Sequence, residues 1–146
     1  MRKLNHPNII HLYEVHETEN TIYMIMDYLE GGQLLDIFRT NRKIPEGEIV
    51  KMLINILNGI TYLHENNIMH RDIKPENILF NNSTENKEPV IVDLGLATSE
   101  DEQEYLYPRC GTPGYVAPEI INIKSHKSKY SNACDIFSAG VIFHLL

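Results

Sequence analysis

Two short apolar runs near the start of the chain predict a β-hairpin. Residues 9–15 (IIHLYEV) and 21–26 (TIYMIM) are rich in β-branched and aromatic side chains, and the polar segment HETEN separates them. Runs of this composition on either side of a polar turn are typical of two antiparallel strands. After the second run, the Gly-Gly break in YLEGGQLLDIF leads into a predicted short amphipathic helix.

The clearest periodicity lies in residues 46–66 and predicts a long amphipathic helix. Its apolar side chains recur mostly three or four positions apart, so they form one stripe along the helix. The members of this stripe are Ile49, Leu53, Ile56, Leu57, Ile60 and Leu63. Pro45 precedes the segment and Asn66 closes it, and both are suitable residues for the boundaries of a helix.

Beyond this helix the pattern changes to short strands and one long irregular stretch. The runs ILF (78–80) and VIV (90–92) predict two short strands joined by a polar loop. Residues 93–119 carry three prolines and the acidic run SEDEQE, so we expect a functional or disordered segment there. Residues 131–146 are strongly apolar and predict a buried helix.

Composition and charge narrow the class of protein. The 146 residues are 42% hydrophobic and 23% charged, as in ordinary globular domains, and their net charge is −7. An acidic chain is a poor candidate for general nucleic-acid binding, which requires clustered positive charge. We expect no membrane span, because no apolar run reaches about 18 residues, and MRKLNHPNII does not resemble a signal peptide. The two cysteines form no CxxC pattern, which favours a reducing, cytoplasmic setting.

Four polar residues suggest a site for a metal ion and phosphate. Asp72 follows the long helix in HRDIKPEN, two residues before Lys74 and five before Asn77. Asp93 comes directly after the second short strand. Mg²⁺ commonly takes one or two carboxylates together with phosphate oxygens of a substrate, so this sparse set of side chains suits it.

Three motifs, taken in order, resemble the signature set of protein kinases. They are HRDIKPEN at 70–77, DLG at 93–95 and GTPGYVAPE at 111–119, and the segments MIMDYLEGG and DIFSAGVIF agree with them. Two features resemble the serine/threonine branch rather than the tyrosine branch. They are Lys74, two residues after Asp72, and the tripeptide Gly-Thr-Pro at 111–113. As a whole, the sequence resembles the calcium/calmodulin-dependent kinase group most.

This resemblance implies an α+β fold, made mainly of the helical C-lobe of a kinase with a β-hairpin left from the N-lobe. We expect the domain to be truncated at both ends, running from the end of the C-helix to the middle of the helix that carries Asp135. The implied parts are an N-lobe remnant (1–26), a hinge (27–32), part of the C-lobe (33–146) and, within it, an activation segment (93–119).

The resemblance also assigns the residues that carry the reaction. Asp72 would orient the substrate hydroxyl and accept its proton, and Lys74 would contact the phosphoryl group during transfer. Asn77 and Asp93 would hold Mg²⁺, and ATP would be the phosphoryl donor. The implied function is therefore ATP-dependent phosphorylation of serine and threonine hydroxyls in a protein substrate.

Further residues would bind the adenine ring of ATP. By the same resemblance, Met26 would be the gatekeeper, backbone groups of Asp27 and Leu29 would meet the ring, and Leu79 would form the floor beneath it. Met26 also lies within an apolar run, which predicts a core side chain.

Three residues would act on the peptide and the activation segment. Glu76 would receive a basic residue of the substrate, although a solvated glutamate is the alternative. Thr112 would pack near the phosphoacceptor. Arg71 would face the activation segment, where SEDEQE is either a solvated loop or a source of negative charge in place of a phosphate.

Other residues have implied structural roles. Leu12, His70 and Leu94 would stack as a spine between the lobes, anchored from below by Asp135. A carboxylate in an apolar helix must accept hydrogen bonds, because its unpaired burial is costly, so we expect a structural role for Asp135.

Some features depart from the family pattern. The usual DFG is DLG here, and Leu94 can still fill the apolar position. Gln33 stands where many arginine-directed relatives carry glutamate. The 146 residues contain no glycine-rich loop, VAIK-like lysine or partner glutamate, so we expect weak ATP binding and negligible turnover by this chain alone. Glu119 would lack the arginine with which the family pairs it, which would cost several kcal/mol if it were buried.

Two hypotheses from different classes remain open on the sequence alone. The first is an incomplete catalytic domain of a serine/threonine kinase, with a calmodulin-type regulator outside this chain. The alternative is a non-catalytic kinase-like binding module or a truncated pseudokinase. The presence of Asp72, Asn77 and Asp93 favours the first hypothesis, because a pure scaffold needs none of them.

Overall fold

The computed structural model combines helices with short strands. It describes residues 3–40, 43–82, 87–102, 104–125 and 128–146. The elements in chain order are β1 (Leu12–Glu17), β2 (Ile22–Met26), α1 (Leu34–Arg39), α2 (Glu46–Glu65), β3 (Ile68–Met69), β4 (Ile78–Phe80), β5 (Pro89–Ile91), β6 (Thr98–Ser99), α3 (Pro118–Ile121) and α4 (Ala133–Leu145). A 3₁₀ turn at Pro75–Asn77 leads into β4.

The strands form antiparallel pairs rather than one sheet. The pairs are β1 with β2, β3 with β6, and β4 with β5. A helical body with small antiparallel pairs is the α+β architecture that the motifs imply, and the predicted fold class is confirmed.

Helix α2 is the central helix of the core and ends within one residue of its predicted boundary. Its buried face is formed by Met52, Ile56, Ile60 and Leu63, together with a glycine at position 59. Leu57, which the stripe predicts as buried, is 41% exposed at the edge of this face. A Cβ atom at Gly59 would lie 2.9 Å from the carbonyl oxygen of Asn8, so this position allows a close approach of the two segments.

The first predicted strand of the hairpin is displaced along the chain. Strand β1 begins at Leu12 rather than at residue 9, while β2 falls where the pattern predicts it. The preceding segment pairs elsewhere: Ile10 N–H donates to the carbonyl of Ile91, and Ile91 N–H donates to that of Asn8, both at 2.9 Å. These bonds tie the start of the chain to β5.

The hairpin extends away from the core. Every residue of β2 is exposed, and Met26 is 39% exposed. The prediction of Met26 as a core side chain is therefore wrong, because an apolar run does not reveal whether another element covers it. Among the described residues, β1 is the strand that pairs with β2.

The later short strands lie at their predicted positions within one residue. Strand β4 coincides with ILF, and β5 is shifted by one residue from VIV. The stretch 93–119 is mostly irregular, as predicted, but its residues Thr98 and Ser99 form β6 and pair with β3. This pairing ties the stretch to the end of α2.

Helix α4 presents one buried and one exposed face. Asp135, Ala139 and Ile142 are buried, whereas Phe137 and Phe143 are 41% and 59% exposed. A partly exposed apolar face on this helix is an aggregation liability. None of the described helices is long and apolar enough to span a membrane.

Two hydrophobic clusters hold these elements together. The larger lies among α1, α2, β4, β5 and α4. The smaller contains Met69, Tyr105, Ala117, Ile120, Tyr130 and Cys134 and lies beneath the irregular stretch 93–119. The segment 70–77 runs between β3 and β4, and its residue Ile73 belongs to the larger cluster.

Candidate active site

Residues 70–77, called the catalytic loop from here on, are anchored by a buried carboxylate. Asp135 is 1% exposed, and its two oxygens accept the backbone N–H groups of His70 and Arg71, each at 2.8 Å. The same carboxylate lies 2.9 Å from Nε2 of His64 at the end of α2. Arg71 adopts a left-handed backbone conformation, with φ of 68°. Such a conformation costs about 1–3 kcal/mol for a non-glycine residue and persists where the surroundings enforce it.

The His70 side chain connects the catalytic loop to the residue that follows strand β5. The ring is fully buried; its Nδ1 accepts the N–H of Asp72 at 3.2 Å, and its Nε2 lies 3.0 Å from the carbonyl of Val92. Because Nδ1 is an acceptor, the proton belongs on Nε2, which donates to Val92. The imidazole therefore links the backbone of Asp72 to that of Val92, the residue directly before Asp93.

Asp72 lies at the centre of a compact polar cluster. Its Oδ1 accepts a hydrogen bond of 2.7 Å from the hydroxyl of Thr112. Its Oδ2 lies 2.8 Å from Nζ of Lys74 and accepts a bond of 3.1 Å from Nδ2 of Asn77. Lys74 also donates to the Thr112 hydroxyl at 2.8 Å. The carboxylate is thus held from three sides and cannot rotate freely.

The cluster stabilises the ionised form of Asp72. Burial by itself would raise the pKa of this carboxyl, but the hydrogen bonds from Lys74 and Thr112 and the positive charge of Lys74 outweigh it. The pKa of Asp72 is therefore lowered from its ordinary value of 3.8. At neutral pH the site contains a carboxylate, not a carboxylic acid.

This lowered pKa makes a testable contribution to stability. The folded chain holds the proton on Asp72 less tightly than the unfolded chain does, so the stabilisation is fully present above pH 3.8 and disappears as the pH falls through the lower folded-state value. In urea unfolding at about pH 5 and about pH 3, the parent chain is expected to lose more stability on acidification than Asp72→Asn does. Equal losses in both chains would contradict the lowered pKa.

Asn77 and Asp93 lie at the same end of the β4–β5 pair. Val92 N–H donates to the carbonyl of Asn77 at 2.9 Å, and Asp93 is the next residue. Nδ2 of Asn77 also donates to the carbonyl of Asp72 at 2.9 Å, which fixes the amide. Asp93 is exposed in a left-handed conformation with φ of 58°, and its Oδ1 accepts the N–H of Gly95 at 3.1 Å.

Arg71 reaches into the irregular stretch 93–119, called the activation segment from here on. Its guanidinium donates to the carbonyl oxygens of Leu96 at 2.7 Å and Tyr107 at 2.8 Å, and to the hydroxyl of Tyr130 at 3.0 Å. It also lies 5.5 Å from the centre of the Tyr105 ring. Arg71 thus faces the activation segment, where the kinase resemblance places it.

The acidic run SEDEQE has a different partner. Glu100 accepts hydrogen bonds of 3.4 Å from the backbone and side-chain nitrogens of Asn132. Among the described residues, no ion pair involves Arg71. The hypothesis that this run lends negative charge near Arg71 therefore stays a prediction. Gln103 of the run lies outside the described residues.

The residues expected around adenine lie at the end of β2, directly after it, and in β4. Asp27 follows β2, and its carboxylate accepts the hydroxyl of Tyr13 at 2.6 Å and the N–H of His11 at 3.0 Å. The N–H of Asp27 donates to the carbonyl of His11, so the carbonyl of Asp27 is the backbone group left for a ligand. Leu29 and Leu79 are both half-buried, and Leu79 bridges to Gln33 at the start of α1.

Glu76 has an unusual environment for a glutamate. One of its carboxylate oxygens is buried, with no hydrogen-bond partner among the described residues. Burial and, after it, the charge of Glu76 raise the pKa of Tyr115. An unpaired buried carboxylate oxygen is a costly arrangement that a cationic or donor group of a ligand would relieve.

The structure differs from two expectations, the stacking of Leu12 with Leu94 and the burial of Glu119. Leu12 is buried, but it is not part of the core cluster that contains Leu94, so those two side chains are not brought together there. Glu119 is exposed, and the expected cost of a buried, unpaired carboxylate at this position does not arise. Its charge is solvated instead.

Sequence reasoning missed several partners of the site. His64 was assigned no specific contact, yet its ring lies against Asp135, 71 residues further along the chain. Tyr130 and Tyr105 were not connected with Arg71, and Ser138 donates to the carbonyl of Tyr115 at 2.8 Å. No local pattern links residues so far apart, so only the three-dimensional arrangement could identify them.

With this geometry in view, comparison with known proteins identifies the class. The family model of the protein kinase domain matches residues 1–146, and the chain belongs to the protein kinase family. Its curated relatives are serine/threonine kinases, among them calcium-dependent and calmodulin-dependent ones. The resemblance inferred from the three motifs is thereby confirmed.

Three relatives illustrate the degree of similarity. The chain is 40% identical over 146 residues to Calcium-dependent protein kinase 5 of Plasmodium falciparum and 36% identical over 146 residues to Calcium/calmodulin-dependent protein kinase type 1 of Caenorhabditis briggsae. It is 40% identical over 147 residues to Serine/threonine-protein kinase DCLK3 of Mus musculus. Each alignment covers 100% of this chain, but only 25%, 40% and 18%, respectively, of the relative.

Proposed function

We propose that this chain supplies the phosphoryl-transfer and peptide-binding parts of a serine/threonine protein kinase. The reaction is transfer of the terminal phosphoryl group of ATP to a serine or threonine hydroxyl of a protein. The observation that carries the proposal is the cluster in which Thr112, Lys74 and Asn77 together hold an ionised Asp72. Phosphoryl transfer depends mainly on such positioning and charge stabilisation.

In this mechanism Asp72 orients the acceptor hydroxyl and takes its proton as transfer proceeds. Lys74 contributes a positive charge beside the phosphoryl group, where negative charge has to be stabilised. Thr112 fixes the positions of both side chains, because its hydroxyl donates to Asp72 and accepts from Lys74. A substrate hydroxyl in the site would therefore meet a carboxylate whose direction is already fixed.

The residues present are suitable for Mg²⁺. The amide nitrogen of Asn77 is committed to Asp72, which leaves its oxygen for a cation, and Asp93 adds an exposed carboxylate. In the part of the chain that the structure describes, no group of three His, Cys, Asp or Glu side chains forms a metal site by itself. One amide and one carboxylate are the sparse, oxygen-only set that Mg²⁺ shares with a bound phosphate. When bound, the ion would neutralise phosphate charge.

The remaining functional residues are proposed to bind adenine and peptide. The carbonyl of Asp27 and backbone groups of Leu29 meet the ring, Met26 lies behind it, and Leu79 lies below it. Glu76 receives a basic side chain of the substrate, which would pair its buried oxygen. The names of two relatives refer to calcium and calmodulin, and a regulator of that type outside this chain is part of the proposal.

We also propose that the 146 residues alone have negligible activity. In the family, a glycine-rich loop and a strand lysine clamp the α- and β-phosphates, and neither occurs in this sequence. Without that clamp, ATP is bound weakly and is poorly oriented for transfer. Peptide phosphorylation by the purified 146-residue chain at a rate typical of kinases would refute this part of the proposal.

A chimaeric kinase tests the function itself. The 146 residues replace the aligned segment of the Plasmodium falciparum relative, which supplies the flanking parts, and transfer from ATP to a peptide is followed against Mg²⁺ concentration. Removing a group that only supports a metal ligand already costs about 10–100-fold in metal affinity or activity. Because Asp93 is proposed as a ligand itself, Asp93→Asn should raise the Mg²⁺ concentration for half-maximal activity at least about tenfold. The exposed Asp101→Asn is the matched control and should leave it unchanged. An unaltered Mg²⁺ dependence in Asp93→Asn would overturn the role of Asp93.

A further inference from the structure

The activation segment is held to the catalytic loop by a buried cation that forms no ion pair with any residue that the structure describes. Arg71 is only 6% exposed, and three of its side-chain hydrogen bonds go to the carbonyls of Leu96 and Tyr107 and to the hydroxyl of Tyr130. Asp135 accepts the backbone N–H of Arg71, not the guanidinium. The partners of this guanidinium are therefore neutral oxygens and aromatic rings.

Two tyrosines complete the surroundings of this cation. Tyr105 and Tyr130 are buried, and their ring centres are 5.1 Å apart. The hydroxyl of Tyr105 donates to the carbonyl of Tyr130 at 3.1 Å, and the Tyr105 ring lies 5.5 Å from the guanidinium carbon. Burial raises the pKa of both phenols, so they are neutral hydrogen-bonding groups at physiological pH. An aromatic face and neutral acceptors are well suited to an arginine that is removed from water.

We propose that Tyr105 and Tyr130 are positioning residues that hold Arg71 and thereby keep the activation segment against the catalytic loop without a phosphate group. We call these two side chains, with the carbonyls of Leu96 and Tyr107, the tyrosine cage. In many settings an arginine cluster orders a loop by binding a phosphorylated side chain. Here the groups of the tyrosine cage already bind the guanidinium of Arg71.

The tyrosine cage is linked to the proposed active site at two points. Arg71 directly precedes Asp72, so its anchored side chain supports the backbone from which the carboxylate projects. Tyr107 lies five residues before Thr112, whose hydroxyl donates to Asp72. The effect on catalysis rests on the proposed function, whereas the effect on the order of the segment does not.

Hydrogen exchange of the 146-residue chain, followed by mass spectrometry, tests the tyrosine cage without any kinase activity. Tyr130→Phe removes only the hydroxyl that accepts from Arg71, and Tyr105→Leu removes the ring and its hydrogen bond. Loss of one hydrogen bond should speed exchange in residues 96–107 about fivefold, and loss of the ring as well about tenfold. Exchange in α2 should remain that of the parent.

The matched control is Tyr107→Phe. The Tyr107 side chain is 56% exposed and only its backbone carbonyl meets Arg71, so exchange should not change. Unaltered exchange in both Tyr130→Phe and Tyr105→Leu would overturn the proposal. If Tyr105→Leu also speeds exchange in α2, it has unfolded the chain, and Tyr130→Phe then decides.

A second arm compares the parent chain before and after phosphatase treatment, with phosphate content read from the intact mass. The proposal predicts equally slow exchange of residues 96–107 in both samples. Exchange that becomes as fast as in Tyr105→Leu after dephosphorylation would overturn it, because a phosphate would then be ordering the segment. If the chimaera is inactive while exchange in residues 96–107 is still slow, the proposed function is refuted and the proposal of the tyrosine cage is not.

Discussion

In the chimaeric kinase, Asp72→Asn is expected to lower kcat by about 10²–10⁴-fold, the usual contribution of a positioned general base. The asparagine retains the shape of the side chain but cannot accept a proton, and it leaves Lys74 without its carboxylate partner at 2.8 Å. The KM for ATP should change little, because Asp72 is assigned to the acceptor hydroxyl and not to the nucleotide. Initial rates at varied ATP and peptide separate the two parameters.

The comparison needs a folded control with the same change in charge. Asp101→Asn provides it, since the Asp101 side chain is exposed. Its kcat should equal that of the unsubstituted chimaera. A kcat in Asp72→Asn within about twofold of the parent would contradict the role of this carboxylate, because a factor of two is worth only about 0.4 kcal/mol.

Asp135→Ala is expected to destabilise the chain by about 3–5 kcal/mol, the cost of removing one partner from a buried, hydrogen-bonded charged group. The substitution leaves the backbone N–H groups of His70 and Arg71 buried without their acceptor, and it removes the partner of His64. Since whole domains are stable by about 5–15 kcal/mol, this one change can unfold a marginal chain. Urea unfolding monitored by circular dichroism measures the loss.

Two further variants make the result specific to the hydrogen bonds. Asp135→Asn retains one acceptor oxygen and should lose less stability than Asp135→Ala. Glu119→Ala removes an exposed carboxylate and should change stability by less than about 0.5 kcal/mol, as is usual at such sites. A loss in Asp135→Ala no larger than that in Glu119→Ala would show that the buried carboxylate does not anchor the catalytic loop.

The elements with strong local patterns could be predicted well. Helix α2 was found within one residue because its apolar stripe extends over about four turns. Strands β4 and β5 were found because polar loops isolate them. The displacement of β1 has a different cause. The run IIHLYEV is apolar at its start, and nothing local distinguishes pairing with β2 from pairing of Ile10 with Ile91, 81 residues away.

Burial was less predictable than secondary structure. An apolar run such as TIYMIM predicts a core strand, yet β2 is exposed along its whole length. The run itself does not show whether another element packs over it. The polar motifs were more informative. Asp72, Lys74, Asn77 and Thr112 were all identified from the sequence, and the structure brings these four together in one cluster.

The contacts that support this cluster could not be predicted. His64 with Asp135, and Tyr105 and Tyr130 with Arg71, are pairs separated by 34 to 71 residues. Their side chains have no distinctive spacing, and tyrosine in an irregular segment is compatible with many roles. Only the tertiary fold brings these residues into contact.

The central claim is that these residues form a site for phosphorylation of serine and threonine, and product analysis of the chimaeric kinase tests it most directly. Three peptides that differ only in a serine, threonine or tyrosine acceptor are incubated with ATP and Mg²⁺, and the phosphorylated residue is identified by mass spectrometry. The account predicts phosphoserine and phosphothreonine, with no product from Asp72→Asn in the same time. Phosphotyrosine alone, or no product from a chimaera whose circular dichroism and thermal unfolding match those of the parent kinase, would contradict it.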